Sequence, residues 1–334
     1  MQRHEILAMD YPLVSAIVLC YNQARFVTEC LDSIKAQNYP NLELLVSDDA
    51  SKDNSVAVIQ AWLDKNSIPY RFFKNEANRG ICRTLNHAIT QARGKYLAGI
   101  ASDDIWFPHK TREQVQILER LPEKVGVVFS DALQIDENGK LLPKKFMEAD
   151  ARLDSSGTIP QGNIEQALWR GNFIAPMTTI IRASCYERVG LYDENLFAED
   201  WDMWLRMTRH FDFVYSPEIS AKYRIVRTSA TRNDYGWLLD DMCKTCLKHL
   251  KSGELNKAGW TSATAKLDAL ASNSFERRSA HYKRNLLKAA MYRPSPGSLA
   301  RCLFGLTGFR AESLYRIQAA ISRKTISAVP KLDA

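Results

Sequence analysis

Three pairs of neighbouring acids, Asp48-Asp49, Asp103-Asp104 and Glu199-Asp200, each stand beside an apolar run. Carboxylates placed against a core cost free energy unless a ligand, a metal or hydrogen bonds satisfy them. Acids so placed can accept a base N–H, hold a hard cation against phosphate oxygens, or take a proton from a hydroxyl. Any one pair also suits a turn or a helix cap. Their joint order, behind a strand that runs into Tyr21-Asn22, is what chance does not readily supply. Other chemistries lack their residues. No GxGxxG or GxxxxGK[ST] occurs, and the six histidines show no H-E-x-x-H spacing. Cys243 and Cys246 form a lone CxxC, whereas structural zinc needs four ligands.

The elements that must position these acids follow from hydrophobic periodicity. VSAIVLC, from Val14 to Cys20, is a buried strand by length and β-branched content, and Phe26, Val27, Cys30, Leu31 and Ile34 repeat at helical spacing up to the break at Tyr39-Pro40. LELLVS, SVAVIQAWLDK, YRFFKN, RTLNHAITQAR and YLAGI continue the alternation of strand and helix. That pattern predicts an α/β domain with a mostly parallel sheet flanked by helices. The turns DDASKDNS and ASDD fall at strand C-terminal ends, where open α/β sheets place ligands. Past Pro108 a helix is expected to Leu121, then VGVVFSDALQID as one strand, a long loop from about 140 to 161, and FIAPMTTIIR as a strand. FAEDWDMWLRMTRHF reads as a helix start with Glu199 and Asp200 in its first turn. From Tyr235 onward helical spacing dominates, broken at Arg293-Pro294-Ser295-Pro296-Gly297, so the domains expected are 1–235 and a helical, basic 236–334.

Composition sets the remaining bounds. With 334 residues, 46% hydrophobic and 25% charged, the chain can bury a sizeable core, and disordered or fibrous classes are excluded. No apolar run reaches the length of a membrane-spanning helix, and MQRHEILAMDYP lacks a signal-peptide core. Seven cysteines without framework spacing fit a reducing compartment, so a cytoplasmic place is expected. From Tyr282 to the end, ten Lys/Arg stand against two acids, whereas the whole chain is +7 and residues 1–281 sum to −1. This basic tail suits lipid phosphates, a lipid-diphosphate acceptor or nucleic acid, or it is a solvated helical surface. No nucleic-acid module accompanies it, so the partner expected is an anionic membrane surface, with the protein peripheral on the inner face.

Together the motifs resemble family 2 glycosyltransferases with the GT-A fold. The resemblance runs through VSAIVLCYNQARFVTECLDSIKAQNYPNLELLVSDDASKDNS, NEANRGICRTLNHAITQARGKYLAGIASDDIWFP, FAEDWDMWLR and YRIVRTSAT, about two thirds of the chain. It implies an inverting transfer of a sugar from a nucleotide diphosphate to a hydroxyl of a glycan or lipid-linked saccharide, as in cell-surface polysaccharide synthesis. Asp49 matches the family's base-reading acid, and a carboxylate there accepts the imide N–H of uracil or thymine, favouring UDP- or dTDP-sugars. Tyr21 offers a ring face to the base or simply packs, and Asp48 supports or caps the following helix. Asp103 matches the metal-binding acid of the DxD-type motif, although Ala101 stands where a first aspartate often occurs. Mn²⁺ or Mg²⁺ held there would offset charge on the leaving diphosphate. Asp104 either shares the metal or holds its loop.

Asp200 matches the catalytic base of the ED motif, with Glu199 orienting the acceptor. Trp201 and Trp204 either stack on a sugar or belong to the core. Arg79 and Arg83 are phosphate candidates, Arg83 being placed with the nucleotide site. Val226 occupies the position of a family histidine, leaving Arg224 or Arg227 to contact phosphate. The competing readings are a nucleotidyltransferase on a similar sheet and a non-catalytic protein that binds sugar nucleotides or glycans.

Overall fold

The computed structural model describes residues 11–149, 157–197, 199–226 and 235–307. The chain forms two compact units, Met1–Arg227 and Thr228–Ala334.

The first unit is built on a seven-stranded sheet in the order β10-β6-β9-β4-β1-β2-β3. Its strands are β1 (Val14–Cys20), β2 (Leu42–Asp48), β3 (Tyr70–Lys74), β4 (Tyr96–Ala101), β6 (Val125–Phe129), β9 (Ile180–Arg182) and β10 (Asp212–Tyr215). β1, β2, β3 and β4 run parallel, as do β6 and β10, while β9 is antiparallel to both of its neighbours. β2 is buried along its whole length, as expected of a strand covered on both faces by helices. The covering helices include α1 (Val27–Lys35), α2 (Ser55–Lys65), α3 (Ile81–Gln91) and α4 (Lys110–Arg120). The apolar residues of α1 predicted to face inward, Val27, Cys30, Leu31 and Ile34, are buried. A smaller four-stranded sheet orders β5 (Ile105–Trp106), β11 (Ala221–Arg224), β7 (Ala132–Ile135) and β8 (Leu141–Lys145).

Three stretches differ from their sequence reading. VGVVFSDALQID is two strands, not one: β6 and β7 belong to different sheets and part at Ser130-Asp131. Periodicity is blind to a strand that changes sheet, because both halves are apolar. In the expected loop from 140 to 161, β8 is followed by a short helix, α5 (Phe146–Ala149), and residues 150–156 lie outside the described residues. Only the end of FIAPMTTIIR is a strand. Pro176, which has no N–H for a ladder, opens a 3₁₀ turn over Pro176–Thr178 before β9 begins. The remaining helices of this unit are α6 (Glu165–Arg170), α7 (Ala183–Val189) and α8 (Glu199–Met207).

The second unit contains four helices among its described residues: α9 (Tyr235–Lys251), α10 (Lys257–Glu276), α11 (Tyr282–Tyr292) and α12 (Pro296–Leu306). Leu239, Cys243, Cys246 and Leu250 of α9 are buried at helical spacing, and Leu267, Leu270, Ala271 and Phe275 line the buried face of α10. The CxxC pair is therefore core packing, both thiols being free and buried. Asp240, also buried, accepts hydrogen bonds from Ser279 Oγ, His281 N and Asn285 Nδ2, which fixes the start of α11. Pro296 sits in the first turn of α12 behind a Ser295 capping box, so the predicted break becomes a helix start.

Candidate active site

The register of the parallel strands places the first two acid pairs. Cys20 pairs with Asp48 and Leu19 with Ala101, so β2, β1 and β4 end side by side. Asp49 N donates to Cys20 O, and Ser102 N to Leu19 O, each at 2.9 Å, extending the pairing one residue beyond the strands. Tyr21, Asp49 and Asp103 thus leave one edge of the sheet from three adjacent strands.

The loops there are held by side chains. Ser51 Oγ donates to Asp48 Oδ2 and accepts from Asn22 N, while Lys52 N donates to Asn22 Oδ1. Ser55 Oγ accepts from Gln23 N, and Asp53 Oδ2 from Ala24 N. Asn22 and Ala50 both take left-handed backbone, φ 55° and 61°. Asn tolerates that conformation, but Ala does not favour it, so the turn beside Asp49 stores strain. Tyr21 is 44% exposed.

Asp49 is nearly spent on the protein. Its Oδ1 accepts from Asn75 Nδ2 and Arg79 N at 2.8 Å, and its Oδ2 from Gly80 N at 2.9 Å. Those bonds take three of a carboxylate's roughly four acceptor positions and leave one on Oδ2. They also fix the 75–80 loop, where Gly80 adopts φ +83° at the N-terminus of α3. Arg83, one turn into α3, is exposed and pairs with Glu194 at 2.9 Å.

Asp103 and Asp104 face different ways. Asp103 is half-buried, and among the described residues its Oδ2 accepts a long side-chain bond, 3.3 Å, from Gln23 Nε2. Asp104 is 1% exposed and turns inward, its Oδ1 accepting from Arg224 N at 2.8 Å. Burial raises the Asp103 carboxyl, partly offset by its own backbone N–H and by Arg224. Burial, then the Asp103 charge, pushes Asp104 far above the ordinary carboxylate range. Arg224 clamps this loop from β11: its Nε donates to Asp103 O and its Nη2 to Glu29 Oε2, with the guanidinium over the Phe26 ring. It is buried and so occupied that it offers no phosphate contact here, contrary to the sequence reading. Arg227 lies outside the described residues.

The third pair begins α8. Asp200 Oδ2 accepts from Asn172 Nδ2 and its Oδ1 from Trp201 N, each at 2.7 Å. Because β9 runs antiparallel to β4, the 3₁₀ turn just before Ile180 lies toward the end of β4 that leads into Asp103. Trp106 Nε1 of β5 donates to Met177 O, and from α4 Gln114 Nε2 donates to Thr178 O and the buried Lys110 Nζ to Thr179 O, pinning the 3₁₀ turn to β5 and α4. On its other side, the approach to α8 is tied to α3: Asn86 exchanges two hydrogen bonds with the Tyr192 backbone, and Cys82 Sγ donates to Leu196 O. Burial, followed by Tyr186 and by the negative charges of Glu199 and Asp200, raises the Tyr192 phenol. Trp201 and Trp204 are each 1% exposed, Trp201 donating to Leu168 O and packing edge-on against Trp169. They are core, not sugar platforms.

Asn172, Gln23, Glu29 and Arg224's clamp were not visible in sequence; Gln23, Glu29 and Arg224 lie inside the motifs that carry the resemblance, whereas Asn172 lies outside them all and carried no signal. Among the described residues no group of three or more His, Cys, Asp or Glu could hold a metal. A cation at Asp103 would therefore take its other ligands from phosphate and water, which suits Mg²⁺ or Mn²⁺. The donor set fits: Asp103 offers a hard oxygen donor whose side-chain bond from Gln23 is a long one.

Residues 15–187 match the model of glycosyl transferase family 2, and the chain belongs to that family. The matched span covers the first two acid pairs and ends before Glu199. Uncharacterized glycosyltransferases of Rickettsia typhi and Rickettsia prowazekii are 31% identical over 64% and 29% identical over 73% of this chain, which spans 64% and 74% of their lengths. Of a Rickettsia bellii glycosyltransferase, 31% identical, the chain spans 31%. The fold is GT-A: S. aureus TarS 1-349 in complex with UDP-GlcNAc aligns with a TM-score of 0.56 at 19% identity, covering 88% of this chain and 79% of TarS. The mannosyltransferase PcManGT from Pyrobaculum calidifontis, in complex with GDP-Man and Mn²⁺, gives 0.55 at 17% identity, covering 89% of this chain and 85% of that one.

Proposed function

We propose that this chain is an inverting, metal-assisted glycosyltransferase that moves a sugar from a UDP- or dTDP-sugar to a hydroxyl of a glycan or lipid-linked saccharide in cell-surface polysaccharide synthesis. The observation that carries the reading is the common edge: β1, β2 and β4 end in register with Tyr21, Asp49 and Asp103 following them. Asp200, held by Asn172, completes the reading as the base of the same site. Family membership supports the chemistry, and the nucleotide-sugar complexes of TarS and PcManGT support the donor class. Since one of those donors carries uridine and the other guanosine, the base preference rests on Asp49.

Tyr21 stacks the base, and Asp49 accepts its imide N–H on the position left open on Oδ2. Asp103 would hold Mn²⁺ or Mg²⁺, which when bound neutralises the departing diphosphate. Asp104, spent on the Arg224 backbone, keeps Asp103 in place from beneath. Arg83 reaches the donor phosphates only by leaving Glu194, an exposed pair that costs little to break. Asp200 accepts the proton of the attacking hydroxyl, with Asn172 fixing the orientation of its carboxylate and Glu199 orienting the acceptor. Displacement on one face inverts the anomeric centre.

Exchanging Asp200 for Asn tests this. Turnover should fall by about 10²–10⁴-fold while donor affinity changes less than about twofold. Unchanged turnover would sink the assignment. The same assay separates the competing readings: a nucleotidyltransferase releases pyrophosphate instead of a nucleoside diphosphate, and a binding protein releases neither.

A further inference from the structure

The second unit presents two apolar stripes that nothing in the chemistry above uses. In α11 the buried residues are Asn285, Leu286, Ala289 and Ala290, whereas Leu287 and Met291, one turn apart, are 45% and 63% exposed. In α12 the buried residues are Ser298, Cys302 and Gly305, whereas Leu299, Leu303 and Leu306 are 55%, 63% and 50% exposed. Their i, i+4, i+7 spacing puts these three leucines on one narrow stripe. The two helices form an antiparallel hairpin. Ser298 Oγ donates to Arg293 O at the turn, and at the other end Tyr282 Oη donates to Gly305 O. Gly305 sits close against α11: a Cβ there would lie 2.4 Å from Leu286 Cδ1, and the leucine would have to shift.

Five large aliphatic side chains standing in water on one hairpin mark an interaction surface. The charge on the same hairpin selects its occupant. Residues 282–307 contain five Lys/Arg and no acid. Lys283 and Arg284 are exposed in the first turn of α11, and Arg293 is exposed at the bend. A second copy would bring this positive face against itself, and residues 308–334, with five Lys/Arg against two acids, would also lay positive on positive. Nucleic acid would match the charge but leave the leucines in water. An anionic lipid surface satisfies both, taking apolar stripes into the acyl boundary and lysine and arginine at the headgroups. We infer that the α11–α12 hairpin is a membrane-docking element that lies in the interface of a bilayer containing acidic phospholipid. No helix of the described residues is long and apolar enough to span, so docking is peripheral. The inference accords with the lipid-linked acceptor of the proposed function and does not rest on its donor chemistry.

Sedimentation of the full chain with vesicles tests it. The chain should pellet with phosphatidylcholine vesicles containing phosphatidylglycerol, much less with phosphatidylcholine alone, and less at high salt. Leu299→Ser with Leu303→Ser should cut the bound fraction about tenfold, and Lys283→Gln with Arg284→Gln should cut it several-fold and flatten the salt dependence. Nucleotide binding and thermal midpoint should be unchanged in both. Absence of vesicle binding at any salt, binding indifferent to both double variants, or loss of a dimer in the leucine variant would overturn the inference. Because vesicle binding is read without turnover, its failure leaves the glycosyltransferase reading standing, and a failure of the Asp200 test leaves the docking result standing.

Discussion

Buried acids beside strands end in opposite states in this molecule, and the difference lies in their donors. Glu43 of β2 is buried but accepts from Ser15 Oγ, Arg93 N and the Arg93 and Arg71 guanidinium groups. Burial pushes its carboxyl up, yet those bonds and charges outweigh it and leave the group below its ordinary value. For Asp103 and Asp104 the backbone hydrogen bonds and the Arg224 charge do not outweigh burial, and both are raised. Glu43 is a structural acid, whereas Asp103 is the one that the proposed function assigns to a ligand. Because the folded state lowers Glu43, its charge stabilises the fold above the unfolded carboxylate range, and that contribution is lost as pH falls through the depressed value. Glu43→Gln should therefore cost about 3 kcal/mol at neutral pH, measured by denaturant titration. Below about pH 4 the wild-type protein should weaken and the gap should narrow. A gap independent of pH would show that shape, not charge, holds this site. The order of the acid pairs drew attention to them, and the family resemblance picked out Asp49, Asp103 and Asp200. Sequence left open whether Asp104 shares a metal or holds its loop, and did not find Asn172, because which neighbour supplies a hydrogen bond depends on distant partners, as Arg224 is 121 positions from Asp103.

Among the elements, the helices and parallel strands of the first hundred residues were legible because their periods are regular and their turns carry Gly, Pro, Asn and Asp. Legibility failed where a strand changed sheet at Ser130-Asp131 and where Pro176 replaced ladder bonds with a 3₁₀ turn, since neither event alters the apolar pattern. β11 matters more than its four residues suggest. Its parallel pairing with β7 and antiparallel pairing with β5 deliver Arg224 to the Asp103 loop. A lysine there would keep the charge but lose the planar fork that reaches Asp103 O, Asp136 O and Glu29 together. Arg224→Lys should raise the Mn²⁺ concentration needed for half-maximal turnover about tenfold while kcat at saturating metal stays within about threefold. An unchanged metal requirement would mean that the clamp does not position Asp103.

Across the whole chain, chemistry and charge are separated. Residues 1–281 sum to −1 and the remainder to +8, and every strand pairing described lies between residues 14 and 224. Both sheets, all the acids placed in the site and the loops that carry them fall within the first unit. The exposed leucines and their basic neighbours fall within the second. We propose on this ground that residues 1–235 form the catalytic domain and 236–334 a helical domain that serves location. A chain ending at residue 235 should remain folded, and UDP at about a hundred times its Kd should stabilise it by about 3 kcal/mol, as it does the full chain. The same truncated chain should no longer pellet with acidic vesicles. Loss of the nucleotide-induced stabilisation would place part of the donor site beyond residue 235, whereas retained vesicle binding would return the docking surface to the catalytic domain.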